Sequence, residues 1–225
     1  MHIEPGLVEG TKIFLSYASA AGALGYAAKL SVDTVQGDGL IALLLRSAMA
    51  TALVFCFFEV LPHQPVGVSE VHLILGTTLL LIFGVAPAAI GLAVGLLVQG
   101  LFFAPLDLPQ YGMNVTTLLV PLFATAALAG KIIPKSTAYV DISYAQAFKL
   151  SVAYQGGIVV WVGFWALYGQ GVGAENLASA ASFGAAYMTI VLAEPLIDLG
   201  VLALAKMMHR LRGSVAVDKR LYSAA

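Results

Sequence analysis

The sequence predicts an all-α membrane protein, a compact bundle of about seven transmembrane helices with the N-terminus outside and the C-terminus cytoplasmic. Three observations lead there. Hydrophobic residues make up 60% of the 225 residues and charged residues only 10%, against about 25% charged in soluble domains. The mean hydropathy is +0.92, more apolar surface than a soluble domain of this length can bury. The basic residues also collect in alternate loops. The 23 glycines and many alanines let membrane helices approach closely, which favours a single compact bundle over residues 1–225. A net charge of −1 gives no footprint for nucleic acid. The lone cysteine, Cys56, lies in an apolar run and is expected to be a buried, inert thiol.

A spanning helix needs about 20 mostly apolar residues. The candidate spans are 12–30, 39–61, 71–85, 86–104, 114–133, 148–169 and 177–205. The run from Val71 to Ala104 is too long for one crossing and is broken at Gly84-Val85-Ala86-Pro87, since proline lacks an amide donor and restricts the residue before it. Its first half, His72 to Gly84, is short. It suits a helix that stops below the outer surface and leaves room for something to fold in above it. Lys29, Lys131, Lys135 and Lys149, together with the basic tail 206–225, fall on one side under this division, and loops 62–70, 105–113 and 170–176 carry no Lys or Arg. Basic loops are cytoplasmic, so the N-terminal segment 1–11 is outside. A cleaved signal peptide is not expected, because Glu4 and Glu9 stand where a basic region would be. Met1 is read as the mature N-terminus.

This topology puts three of the four histidines, His2, His63 and His72, on the outer face; His209 lies in the tail. A free amine followed by histidine is a chelator. The Met1 amine and the His2 backbone nitrogen close a five-membered ring on a metal. The same backbone nitrogen and His2 Nδ1 close a six-membered one. Three nitrogens in a plane, with a fourth from elsewhere, suit Ni(II) or Cu(II), and Co(II) is a third option. Ligands must be deprotonated, so affinity should rise with pH. The plainer reading is that His2 is an exposed terminal residue, His63 a loop residue between two prolines, and His72 a helix-start residue that only hydrogen-bonds. The residues alone leave both readings open.

The motif order resembles the CbiM/NikM family, the metal-specific substrate-binding (S) components of energy-coupling-factor cobalt/nickel transporters. The start reads Met1-His2-Ile3-Glu4-Pro5-Gly6. The loop Pro65-Val66-Gly67-Val68-Ser69-Glu70-Val71 leads into His72, and Gly112-Met113-Asn114 opens the fifth span. The match runs from residue 1 to about 130. The resemblance implies that the N-terminal segment folds into the bundle from outside. It implies metal ligands from Met1, His2 and His72, with Asn114, Thr117 and Ser69 as the supporting shell and His63 and Glu4 as further candidates. Glu4-Pro5 inverts the commoner order, the loop before His72 is one residue longer, and Thr117 replaces the family's second asparagine. Further implications are Co2+ or Ni2+ as the transported ion, no resident cofactor, and a plasma-membrane location. The implied partners are a transmembrane coupling protein, ATPase subunits and a small accessory membrane protein.

The chain has no Walker A motif, so it is not expected to hydrolyse ATP. Arg46, Glu59, Gln99, Gln155, Glu194 and Asp198 are polar groups inside spans, where charges are costly and often functional. Glu194 and Asp198, one helical turn apart, are either an acid–base or cation-binding pair or groups near the cytoplasmic end that are solvated or paired with Arg46 or Lys149. Gly91-x-x-x-Gly95 and the run Ala18–Ala28 read as close-packing surfaces. The expected function is capture of Co2+ or Ni2+ for uptake driven by separate subunits. The rivals are an autonomous metal permease, a membrane structural or assembly protein without a metal site, and an intramembrane hydrolase.

Overall fold

A computed structural model describes residues 3–224, except for the side chain of His209. Helices dominate: α1 (Ile13–Asp38), α2 (Leu40–Phe55), α3 (Gly76–Phe83), α4 (Val85–Phe102), α5 (Tyr111–Ile132), α6 (Tyr144–Gln170), α7 (Ala174–Met188) and α8 (Ile190–Met207). A small antiparallel hairpin, β1 (Gln64–Val66) and β2 (Ser69–Val71), joins α2 to α3. The chain is a multi-pass membrane protein. Among the described residues, five stretches are long and apolar enough to cross a bilayer: Leu40–Val60, Val85–Phe102, Pro105–Ile132, Tyr144–Gln170 and Ala174–Met207. The last comprises α7 and α8, interrupted at Thr189.

Two of the expected spans differ from these. The first, 12–30, lies in the 26-residue helix α1, whose length suffices but whose Ala, Gly and Ser residues make it less apolar. The third, 71–85, contains only the eight residues of α3 as helix. At 1.5 Å per residue that is about 12 Å, less than half of a hydrocarbon core about 30 Å thick. The residues from His72 to Leu75 are irregular, and Leu75 takes the left-handed conformation with φ 53°. Non-helical backbone at such depth is tolerated because protein surrounds it: His72, Ile74 and Leu75 are all buried. Gly84 makes the turn from α3 into α4 at φ 88°, a conformation that favours glycine.

Small residues set the helix packing. A Cβ on Gly91 or Gly95 would come within 2.5 and 2.6 Å of Ala50 and Val54 of α2. That motif is therefore used inside the chain. A Cβ on Gly112 would meet Ser16 of α1 at 2.9 Å. Helix α6 begins at a capping box, in which Ser143 N–H donates to Gln146 Oε1 (2.9 Å) and Gln146 N–H to Ser143 Oγ (3.3 Å).

The tail does not remain apart from the bundle. Val217 and Leu221 are buried, and Asp218 N–H donates to Ile82 O at the end of α3 (2.7 Å). Arg46, buried within α2, pairs with Asp38 (2.8 Å), lies 3.8 Å from Asp218 and donates through Nε to Val215 O. It is thus not the partner of Glu194 or Asp198. Those two are 0% and 1% exposed, so they are not solvated either. Cys56 also departs from expectation. It sits in the π-helical turn Cys56–Val60 that ends the second span, and its side chain is exposed on the outside of the bundle.

Candidate metal site at the hairpin end of the bundle

The site is assembled by three segments that meet over the start of α3. Val66 and Ser69 close the β-hairpin, and Gly67 supplies the left-handed turn at φ 63°. A Cβ on Gly67 would lie 2.2 Å from Ser179 O of α7, so the hairpin tip presses against that helix. The N-terminal segment runs through Gly6 into α1. Its first described residue, Ile3, forms an isolated antiparallel bridge with Ser69, and Glu4 N–H donates to Val68 O (3.2 Å). The N-terminal segment therefore lies as a short third strand against the hairpin. Ile3, Leu7 and Val8 are buried, which removes apolar surface from water and supplies the driving force for docking.

Asn114 secures this segment from beneath. Its Oδ1 accepts the Ile3 N–H at 2.9 Å, and the residue is 1% exposed. The far end of the segment rests on α6. Lys12 Nζ donates to Tyr168 O (3.0 Å) and Gly169 O (2.9 Å), a favourable place for a cation because the carbonyls at a helix C-terminus are unsatisfied. A Cβ on Gly169 would lie 1.9 Å from Leu7 O. Only a glycine lets the segment come this close.

His72 is the buried centre of the site. Its Nε2 lies 2.9 Å from Glu70 Oε2. The His63 ring stacks on it at 4.8 Å and 13°, and the Phe58 ring meets it edge-on at 5.3 Å. A carboxylate on one ring nitrogen fixes orientation and tautomer, the arrangement that commonly supports a metal-binding histidine. Glu4 is half-buried. Burial first, then the carboxylates of Glu70 and Asp107, push its carboxyl above the usual glutamate range. The mouth of the site thus carries three acidic groups in one neighbourhood, a field that attracts cations.

The structure brings His72, His63, Ser69, Asn114 and Glu4 to this end of the bundle. Thr117 is buried one turn further along α5 from Asn114, and its hydroxyl donates within its own helix to Met113 O (2.8 Å). Met1 and His2, the expected chelating pair, lie outside the described residues. Among the described residues no group of three or more His, Cys, Asp or Glu side chains is placed to hold a metal ion. Sequence reasoning missed Glu70 and Phe58 as neighbours of His72. Glu70 carried a signal, because residues i and i+2 of an extended chain share a face.

The family profile for CbiM, described as the cobalt uptake substrate-specific transmembrane region, matches residues 2–211. No curated protein matches the sequence. Two solved structures resemble the fold. One, a truncated transition metal transporter, has a TM-score of 0.69 and 19% identity, over 93% of this chain and 100% of the other. The second, a transition metal transporter, has a TM-score of 0.66 and 18% identity, over 93% and 94%.

Proposed function

The chain belongs to the CbiM family of cobalt uptake substrate-specific transmembrane proteins, and from that premise we propose that it captures a transition-metal ion, Co2+ or Ni2+, at its outer face for uptake. The observation that carries the reading is the buried His72, oriented by Glu70 and His63 and lying beside the docked N-terminal strand. Ile3 is anchored on Asn114 and Ser69. Met1 and His2 immediately precede this anchor in the sequence. The Met1 amine, the backbone nitrogen and Nδ1 of His2, and the imidazole of His72 are the proposed ligands. Planar nitrogen donors suit Ni(II) and Co(II) better than hard cations.

The test is metal titration of the purified protein. One alanine inserted ahead of His2 moves the amine out of its chelate ring and leaves the spans alone. That insertion, His2→Ala and His72→Ala should each abolish tight Ni2+ or Co2+ binding. Each lost ligand should cost several kcal/mol, because apparent structural-metal affinities of about 10–16 kcal/mol are shared among roughly four ligands. Unchanged affinity after the insertion would falsify this ligand set.

The proposed mode of transport couples this subunit to a membrane coupling protein and ATPase subunits in the plasma membrane, with the hairpin end outside. The family and the lack of a Walker A sequence support that reading. Orientation is checked with single cysteines in a Cys56→Ser background, since Cys56 is exposed. Gln64→Cys and Leu106→Cys should react with an impermeant maleimide from outside, and Ser214→Cys should not. Outside labelling at Ser214 reverses the topology. Uptake in cells without any ATPase-coupled partner should not be concentrative; concentrative uptake there makes the chain an autonomous permease.

A further inference from the structure

A second polar centre lies below the metal site, in the interior of the bundle. Glu194 and Asp198 sit one turn apart on α8, and both are almost wholly buried. The groups that face them come from every helix packed on this part of α8. From α6, Ser151 Oγ and Gln155 Nε2 donate to Glu194 Oε2 at 2.6 and 2.8 Å. From the first turn of α3, Thr77 N–H donates to Glu194 Oε1 at 3.4 Å, and the Thr78 hydroxyl donates to Asp198 Oδ1. Tyr154 of α6 and Tyr187 of α7 are the titratable groups that face Glu194 from the neighbouring helices. The next charge along α8 is Lys206, which pairs at the helix's exposed end with Asp141 of the α5–α6 connection. No lysine or arginine described is in an ion pair with either buried acid.

Two like charges at i and i+4 repel even on an exposed helix. In a medium of low dielectric the repulsion is far stronger, and a buried charge needs compensation. At least one of the two acids must therefore be neutral, and hydrogen bonds must compensate any charge that remains. The hydrogen bonds indicate which acid is the neutral one. Glu194 accepts from three donors and faces the amide end of α3, a setting that favours a carboxylate. Asp198 accepts from one hydroxyl, and its Oδ2 has no hydrogen-bond partner among the described residues. A second observation points to exchange at this place. The phenol of Tyr154 and Oε1 of Gln155, both fully buried, also lack a partner there. Tyr154 reaches across to the start of α3, where its hydroxyl lies 2.6 Å from the position a Cβ on Gly76 would take. The donors already occupying the Glu194 oxygens stand where a metal cage would need open lone pairs, so a proton fits better than a metal ion.

We propose that Glu194 and Asp198 form a proton-binding site inside the membrane, with Asp198 carrying one proton and Glu194 as its anionic partner. The proton comes from water and returns to it, Asp198 alternating between carboxyl and carboxylate. The site holds the first turn of α3, five residues along the chain from His72. It is independent of the outer ligand set and survives if that set is wrong.

The experiment is difference infrared spectroscopy on protein in lipid nanodiscs at neutral pH. Asp198→Asn should remove one protonated-carboxyl C=O band, equivalent to one proton per chain, and the band should shift in D2O. It should be unaffected by added Na+ or Mg2+. Asn imitates a neutral acid, so this variant should keep the wild-type thermal midpoint. Glu194→Gln should lower it, because its amide would confront three donors. A spectrum in which Asp198→Asn removes no such band overturns the proposal. So does a thermal midpoint that rises with Na+ or Mg2+ in the wild type but not in Asp198→Asn, which would make this a cation site. Should Asp198→Asn not fold, alkaline titration of the wild type decides. Loss of one protonated-carboxyl band supports the site, and the absence of any such band at neutral pH refutes it.

Discussion

The N-terminal segment is held mainly by backbone groups and apolar side chains, whereas the C-terminal tail adds a network of ion pairs to its buried Val217 and Leu221. At one end, Ile3 N–H is held by Asn114, Glu4 N–H by Val68 O, and Ile3, Leu7 and Val8 are buried. At the other, Lys219 bridges Asp38 (2.6 Å) and Gly37 O (2.8 Å), Arg46 joins Asp38 and Asp218, and Arg220 donates to Ile133 O and Pro134 O. The difference teaches what each contact is suited to. Backbone pairing fixes position closely and is little affected by salt, which suits the proposed terminal-amine chelate. Ion pairs hold a segment closed under some conditions and release it under others.

The largest effect should come from displacing the N-terminal strand without touching a ligand. Gly169→Val puts atoms where Leu7 O now lies, 1.9 Å from the added Cβ, and backbone cannot yield there cheaply. The segment should undock. Ni2+ or Co2+ affinity should then fall as far as in His2→Ala, and the amides of Ile3, Glu4 and Leu7 should lose hydrogen-exchange protection. Wild-type affinity in a folded Gly169→Val protein would mean that the docked strand is not part of the site.

A smaller loss is expected from Asn114→Ala. It leaves a buried N–H of Ile3 without an acceptor, a cost of about 1–3 kcal/mol, so metal affinity should drop by roughly tenfold to a hundredfold, since each 1.4 kcal/mol is tenfold. Thr117→Ala should change affinity little, because Thr117 bonds within its own helix. Equal losses at both positions would show that the two act together and would undo the contrast between them.

These two residues also mark how far the sequence could be read. Fold class and the shortness of the third span were legible, because composition and the Gly84–Pro87 break are local signals. Asn114 could be placed through its motif. Thr117 could not be judged, since a threonine in a helix can turn to its own i−4 carbonyl, and only packing decides. The hairpin was missed because its strands are three residues each, and the pairing they make with each other is extended only by the distant N-terminal segment. The Arg46 partners were missed for the same reason. A buried arginine does not announce that residues 215 and 218 will fold back to meet it. Cys56 continues the exposed stripe of Leu45, Met49 and Leu53 along the second span, and in a run that is apolar all round the sequence does not mark which side faces outward.

The smallest effect on metal binding should come from the tail, although its own response to conditions should be the clearest. Burial pushes the Asp38 carboxyl up, but hydrogen bonds from Lys219 and Arg46 outweigh it and hold the group below the ordinary 3.8. Its stabilisation is therefore present above 3.8 and is lost as the pH falls through the lowered value. Asp218 has the opposite sign. Burial, as the largest influence, raises it above 3.8 despite Arg220 and Arg46, so its ionisation opposes docking at neutral pH and protonation relieves it. On acidification from neutrality the tail should first hold or tighten as Asp218 takes up a proton. It should loosen only below about pH 3.8, when Asp38 follows. A nitroxide on Ser214→Cys, in the Cys56→Ser background, reads this directly as mobility. The same label should loosen moderately in high salt at neutral pH, because Lys219 is largely exposed and exposed pairs are screened, whereas the buried Arg46 is not. Mobility that climbs steadily from neutral pH downward would show that Asp218, not Asp38, anchors the tail. Mobility indifferent to both salt and acid would show that burial of Val217 and Leu221 holds the tail, and the contrast between the two ends would disappear.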